Sequence, residues 1–250
     1  MRFIAVLFLL FSMPLYAQSY VDEYEPTTYE NFSNLILKYQ AHDLDNPAVL
    51  KEYFQSANCS LFKKYYKNDF IWQMVLDGFK RDLKYFSKKI PHKFIVNASI
   101  VVDRYDFSNS SFIIDEKFAL GNAGSIRIPF YERRGTTCVE RFKRKFFPDR
   151  VKFIAERKFA LDKIPMKMDE ANALLERIKN YEYEGIESNR VLAVRFLITI
   201  NDVDKFTMKE KSYSRPEVFY TGTLDEVAFF EDPNMTKLIW KKQFKVFEED

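Results

Sequence analysis

Apolar residues along this chain recur with two periods, and the change between them falls at Pro91. Before Pro91 they return every three or four positions. Phe32, Leu35, Ile36 and Tyr39 share one helical face, behind Thr27 and Glu30 at capping-box spacing. Leu50, Tyr53, Phe54 and Ala57 form a second stripe after Asn46-Pro47, where proline at the first helical position loses no needed hydrogen bond. A third helix from Asp69 sets Ile71, Met74, Val75, Gly78, Phe79, Leu83 and Phe86 on one side, with Asp77, Lys80, Arg81 and Lys84 opposite. Residues 18–26 are polar and tyrosine-rich, an exposed lead-in.

After Pro91 the period is two. Phe94, Val96, Ala98, Ile100 and Val102 alternate along a long half-buried strand, and Leu192, Val194, Phe196, Ile198 and Ile200 along another. Turn residues mark shorter strands over 111–114, 125–131, 151–161, 217–223, 226–230 and 237–244, with one inserted helix over 167–179. Gly121-Asn122-Ala123-Gly124 lacks the spacing of a phosphate loop and reads as a hairpin turn. Strands that follow one another without regular helices between them favour antiparallel pairing. The expected fold is α+β: a helical N-terminal third (18–91) packed on a mostly antiparallel, β-rich remainder (92–250) carrying one helix, as a single domain.

Residues 1–17 stand apart from this patterning. Arg2, an apolar run from Phe3 to Met13, the helix breaker Pro14 and the small residue Ala17 follow the order of a secretory signal peptide cut before Gln18. The run is shorter than the ~20 apolar residues a bilayer span needs, and no later segment reaches that length, so no transmembrane anchor is expected. Gln18, not a cysteine, stands immediately after the cut, which argues against a lipoprotein. The expected product is a soluble exported protein, periplasmic or secreted.

Export changes the reading of the two cysteines. Disulfides persist outside the cytoplasm, and Cys59 and Cys138 permit one intramolecular pairing. A nucleophilic thiol would need a base, and His42 and His92 sit in no recognisable motif. The disulfide is the expectation.

The 250 residues carry a net charge of only +3, so no global field steers the protein toward nucleic acid, which is not an expected partner. The aromatic content of 17 % reads first as core filling and second as a binding face for glycan or peptide. Charge is concentrated locally. Residues 133–158 hold ten basic side chains against three acidic, with Phe142, Phe146, Phe147 and Phe153 interleaved. Arg141, Lys143, Arg144 and Lys145 are therefore candidates to hold an anionic envelope polymer. The alternative is a strand edge guarded by cations against edge pairing. Asp103 with Asp106, and Asp202 with Asp204, offer hard oxygen ligands at strand ends, but aspartate at a turn more often bonds its own backbone. No metal and no cofactor is expected.

Sequence motifs for a serine-hydrolase elbow, a zinc-protease helix or a paired-cysteine metal site are missing. The expectation is a non-catalytic binding protein whose partner is an envelope protein or anionic polymer. A carboxylate-dependent envelope hydrolase is the alternative, since its two acids need not be close along the chain. Asn58-Cys59-Ser60-Leu61-Phe62, then Tyr65-Tyr66, Asp69-Phe70-Ile71-Trp72 and Asp103-Arg104-Tyr105-Asp106-Phe107, resemble a family of exported bacterial domains of unknown function over about residues 27–130. That resemblance implies a bacterial, periplasmic home and supplies no activity.

Overall fold

The computed structural model describes residues 23–39, 42–114, 125–128, 138, 144–147, 150–157, 159, 161–183, 186, 188–204 and 217–244. Four helices come early: α1 (Tyr29–Lys38), α2 (Pro47–Ala57), α3 (Cys59–Tyr65) and α4 (Asp69–Phe86), the last continuing into a 3-10 turn at Ser87–Lys89. Each begins on a side-chain cap. Thr28, Asn46, Asn58 and Asn68 accept from the backbone N–H of Asn31, Ala48, Leu61 and Ile71, each cap stabilising its helix by about 1 kcal/mol. The α1 cap is one residue later than the Thr27–Glu30 spacing predicts. Thr27 is instead buried beside a short strand, β1 (Glu25–Pro26), which pairs in parallel with the first long strand. The lead-in is thus in part built into the sheet. Helix α3 is also new: a seven-residue helix around Cys59 is too short to show a period.

The remaining strands are β2 (Lys93–Asp106), β3 (Ser111–Ile114), β4 (Ser125–Ile128), β5 (Arg150–Ala155), β6 (Lys163–Pro165), β7 (Val191–Asp204), β8 (Glu217–Phe230) and β9 (Leu238–Gln243), with α5 (Met168–Ile178) between β6 and β7. They join in one sheet ordered β4-β5-β8-β7-β2-β3-β6, with β1 beside β2 and β9 beside β8. Pairing is antiparallel except for β1–β2 and β5–β8. The protein is α+β.

Two strand expectations change. The segment expected as one strand over 151–161 ends at Ala155, and the edge strand β6 follows separately. Residues 217–223 and 226–230 are one strand, β8, because Asp225 is absorbed as a bulge: Leu197 faces Glu226 while Ile198 faces Leu224. The strand expected to reach residue 131 is described only to Ile128, and the turn at Gly121–Gly124 lies outside the described residues.

The core lies between the helices and one face of the sheet. Leu192, Val194, Phe196, Ile198 and Ile200 of β7 are all buried, as their alternation demands. Phe32 of α1 meets Phe94 of β2 and Tyr220 of β8 at ring-centroid distances of 4.7 and 5.0 Å, and the Tyr220 hydroxyl donates to Phe32 O at 2.8 Å. Strands β7 and β8 approach so closely that a Cβ on Gly222 would stand 1.9 Å from Thr199 O. Only glycine fits there. Helix α4 is rotated from its predicted stripe. Trp72, Leu76 and Leu83 are buried, with Val75, Phe79 and Phe86 partly so, while Ile71 and Met74 face solvent. The reverse face of the sheet has its own small cluster of Ala193, Ala228 and Phe230, covered by Tyr183 and Met235.

Candidate functional site

The basic segment lies in part against helix α2. Glu52, buried on that helix, accepts the backbone N–H groups of Lys145 at 2.9 Å, Phe146 at 2.7 Å and Phe147 at 2.8 Å. Three consecutive amides converging on one carboxylate make a charge-assisted clamp. The Tyr29 hydroxyl donates to Phe147 O, and His42 Nε2 is 2.7 Å from Phe146 O. Burial pushes the Tyr29 phenol well above its ordinary range, so it stays a donor. Arg144 is 3 % exposed, its guanidinium 4.2 Å from the centroid of the Tyr29 ring. This corrects both expectations for Arg144: it is neither a solvated edge charge nor available to an outside anion. Lys145 is exposed, while Arg141 and Lys143 lie outside the described residues.

The cysteines sit beside this clamp. Cys138 N donates to Gln55 O of α2 at 2.6 Å, and the Cys59 and Cys138 Cα atoms are 5.3 Å apart, with the sulfurs at disulfide distance. The helices and the segment leading to β5 are therefore joined at two neighbouring points.

The aspartates separate. Because β2 and β7 are antiparallel, Asp103 and Asp106 lie at one end of the sheet and Asp202 at the other. Asp106 accepts from Ser108 N, Asn109 N and Asn109 Nδ2, closing the β2–β3 turn; the Asn109 bonds lead in holding its carboxyl below the usual range. Asp103 uses its backbone carbonyl to accept from Arg190 at 2.6 Å, and Asp202 bonds the Val203 amide. The Asp204 side chain lies outside the described residues. No three His, Cys, Asp or Glu side chains gather as a metal's donor set among the described residues.

The structure does form a concave surface elsewhere. After α5 the chain crosses the reverse face of the sheet, and Lys179, Tyr181, Glu182, Tyr183, Ser188 and Asn189 line an open groove of about 770 Å³. An ionic network sets its wall. Glu231, 5 % exposed, is paired with Arg177 at 2.8 Å and Lys237 at 3.4 Å; Lys237 also donates to the Tyr181 hydroxyl at 2.9 Å. The Tyr183 hydroxyl donates to Glu231 O at 3.3 Å, and burial, with Asp232 adding to it, pushes this phenol up to about 12. Both rings are thereby oriented by their hydroxyls. Glu226, on the same face of β8, lies between Arg195 at 3.4 Å and Lys241 at 3.8 Å. The groove offers aromatic surface, an ammonium, a carboxylate, a hydroxyl and an amide, a set suited to hydrogen-bonding a polar ligand.

A family model, Domain of unknown function (DUF4852), matches residues 45–177, more than half of the chain. The chain belongs to this family. No curated protein and no solved structure matches it. The DUF4852 span begins just before α2 and ends in α5, so it holds Glu52, both cysteines, the clamped segment and the whole of α3 and α4. The groove and the carboxylates behind it follow the span.

Sequence reading missed the clamp and the groove for different reasons. Glu52 stands among apolar neighbours on α2, and its partners are more than 90 positions away. Glu226, next to Asp225 in a strand run that is otherwise mostly apolar, was a visible signal that a cation must reach it.

Proposed function

We propose that this is an exported protein of the bacterial envelope that binds a partner without covalent chemistry, through the groove beside Tyr181 and Tyr183. The observation that carries the binding reading is the disposition of its buried carboxylates. Glu52 is saturated by backbone amides, Glu226 and Glu231 by two cations each, and Asp232 by Thr236 and Lys237. Each is engaged in holding the fold together. Among the described residues the acidic side chain lining the open groove is Glu182, whereas glycosidase chemistry needs two carboxyl groups about 5–10 Å apart. Export is supported by the charge–apolar–proline–alanine order of residues 1–17 and by the cysteine pair at disulfide distance. Among the described residues no helix is long and apolar enough to cross a membrane. The core shared by helices and sheet supports reading residues 18–250 as one domain.

The test combines compartment and capture. Tagged protein is fractionated and its N-terminus sequenced, then the protein starting near Gln18 is used to recover bound proteins, glycans and lipids from the envelope. A Glu182→Ala/Asn189→Ala variant, altered only at exposed groove side chains, should lose the partner that the parent retains, with the same melting temperature. A cytoplasmic product beginning at Met1 would refute export. Identical capture by parent and variant would remove the groove from the function.

A further inference from the structure

We infer that α4 and the elbow before it form a docking face for an anionic phospholipid bilayer. Phe70, Met74 and Tyr85 are 85 %, 73 % and 73 % exposed. At 3.6 residues per turn they fall, with Arg81, within about 60° of arc on the side of the helix opposite Trp72, Leu76 and Leu83. Helix α4 is thus apolar on two opposed sides: one packs on the core, and the other points directly away from it over roughly 22 Å of helix. Ile71, 41 % exposed, widens the outward side at its first turn. Large aromatic and thioether groups held in water this way mark an interaction surface.

Charge identifies what it meets. Residues 63–89 contain eight Lys or Arg and three Asp, a net +5, whereas the whole chain carries +3. The remaining residues sum to a net −2, the +7 of residues 133–158 being offset elsewhere; residues 63–89 are thus one of two locally cationic stretches, and the one that carries the exposed Phe70, Met74 and Tyr85. Lys80 and Arg81 are engaged with Asp45 and Asp82 at 2.8 and 3.0 Å. Lys63, Lys64, Lys67, Lys84, Lys88 and Lys89 are exposed. Aromatic and Met side chains that enter the acyl boundary, ringed by lysines whose stems reach back to the headgroups, are the chemistry of interfacial attachment to anionic lipid. A soluble anionic polymer would use the lysines but gain nothing from Phe70 and Met74. A second copy of the chain would match the apolar stripe but bring a second +5 face against the first. The bilayer alone satisfies both features. This face is separate from the groove and does not depend on it.

The experiment is vesicle flotation of the protein beginning at Gln18, with phosphatidylethanolamine–phosphatidylglycerol vesicles against pure phosphatidylcholine vesicles. Binding should occur on the anionic vesicles and weaken as salt rises. Lys63→Gln/Lys64→Gln/Lys67→Gln should lower affinity by about fivefold per cation and flatten the salt dependence. Phe70→Ser/Met74→Ser should release the protein while leaving its circular dichroism and melting temperature unchanged, since neither side chain packs in the core. A parent protein that ignores anionic vesicles overturns the inference. So does binding that Phe70→Ser/Met74→Ser leaves intact, which would point to a purely electrostatic contact. A loss of self-association in that variant, without vesicle binding by the parent, would reassign the face to a second copy.

Discussion

The carboxylate of Glu52 on α2 holds the backbone N–H of Phe146 at 2.7 Å across a sequence separation of 94 residues. With the amides of Lys145 and Phe147 on the same group, one side chain seats a whole segment against the helices. Glu52→Ala leaves three donors facing an apolar void, a loss of about 2–4 kcal/mol. For a chain of this size that is a melting-point drop of roughly 5–15 °C. Glu52→Gln keeps the shape and one acceptor oxygen and should fall in between. Urea unfolding of the three proteins measures it, and equal midpoints would show that the clamp contributes nothing.

Arg144 and Lys145 are neighbours with opposite roles, one stacked on Tyr29 and the other in solvent. Arg144→Ser should destabilise the fold by about 1–2 kcal/mol through the lost cation–π contact and packing. Lys145→Ser should change stability by no more than about 0.5 kcal/mol. Equal effects in thermal melts would contradict the burial of Arg144.

Cys59 and Cys138 are 79 residues apart in sequence and stand at disulfide distance. Unfolded, unreduced protein taken from its native compartment should show no titratable thiol. The Cys59→Ser/Cys138→Ser variant should be less stable by roughly 2–5 kcal/mol, because the cross-link restricts the unfolded chain. Two free thiols in the parent would rule the bond out.

Gly222 lies where β8 passes under the carbonyl of Thr199. Gly222→Ala must push apart the two central strands, at a cost of about 3 kcal/mol or more. The expected result is a sharp fall in soluble yield or in the urea midpoint. A parent-like midpoint would mean that the strands separate easily here.

His42 is drawn partly out of water, which lowers its pKa below the ordinary 6.5, with the Phe146 carbonyl and Glu52 pulling the other way. Above about pH 6.5 the ring is neutral in both states. As pH falls through that value the unfolded chain takes up the proton first, so stability declines until the lower folded pKa is reached. The melting temperature should therefore fall between about pH 7 and pH 5, and the decline should be shallower in His42→Asn. Identical slopes would exclude His42 as the titrating group.

What the sequence determined by itself was the local part of the fold. The alternation of β7 buries Leu192 through Ile200 on one face because a pleated strand has no other way to distribute them. Asn46-Pro47 and Asp69 start helices because caps and first-turn preferences act within three or four residues. Two cysteines leave one intramolecular pairing, so the count alone named the partners that stand at disulfide distance. The tertiary structure decided everything that needed a distant partner. Helix α4 has apolar residues on two sides, and Phe54 and Phe62, by packing on Trp72, chose the one that faces inward. Asp225 looked like a strand break until β7, Thr199 and Tyr24 supplied the bonds that hold it as a bulge. Arg144 looked like surface charge until Tyr29 lay over it and Glu52 fixed the backbone beside it. Backbone periods and caps are properties of neighbouring residues, whereas burial of a charge depends on which remote group arrives to meet it.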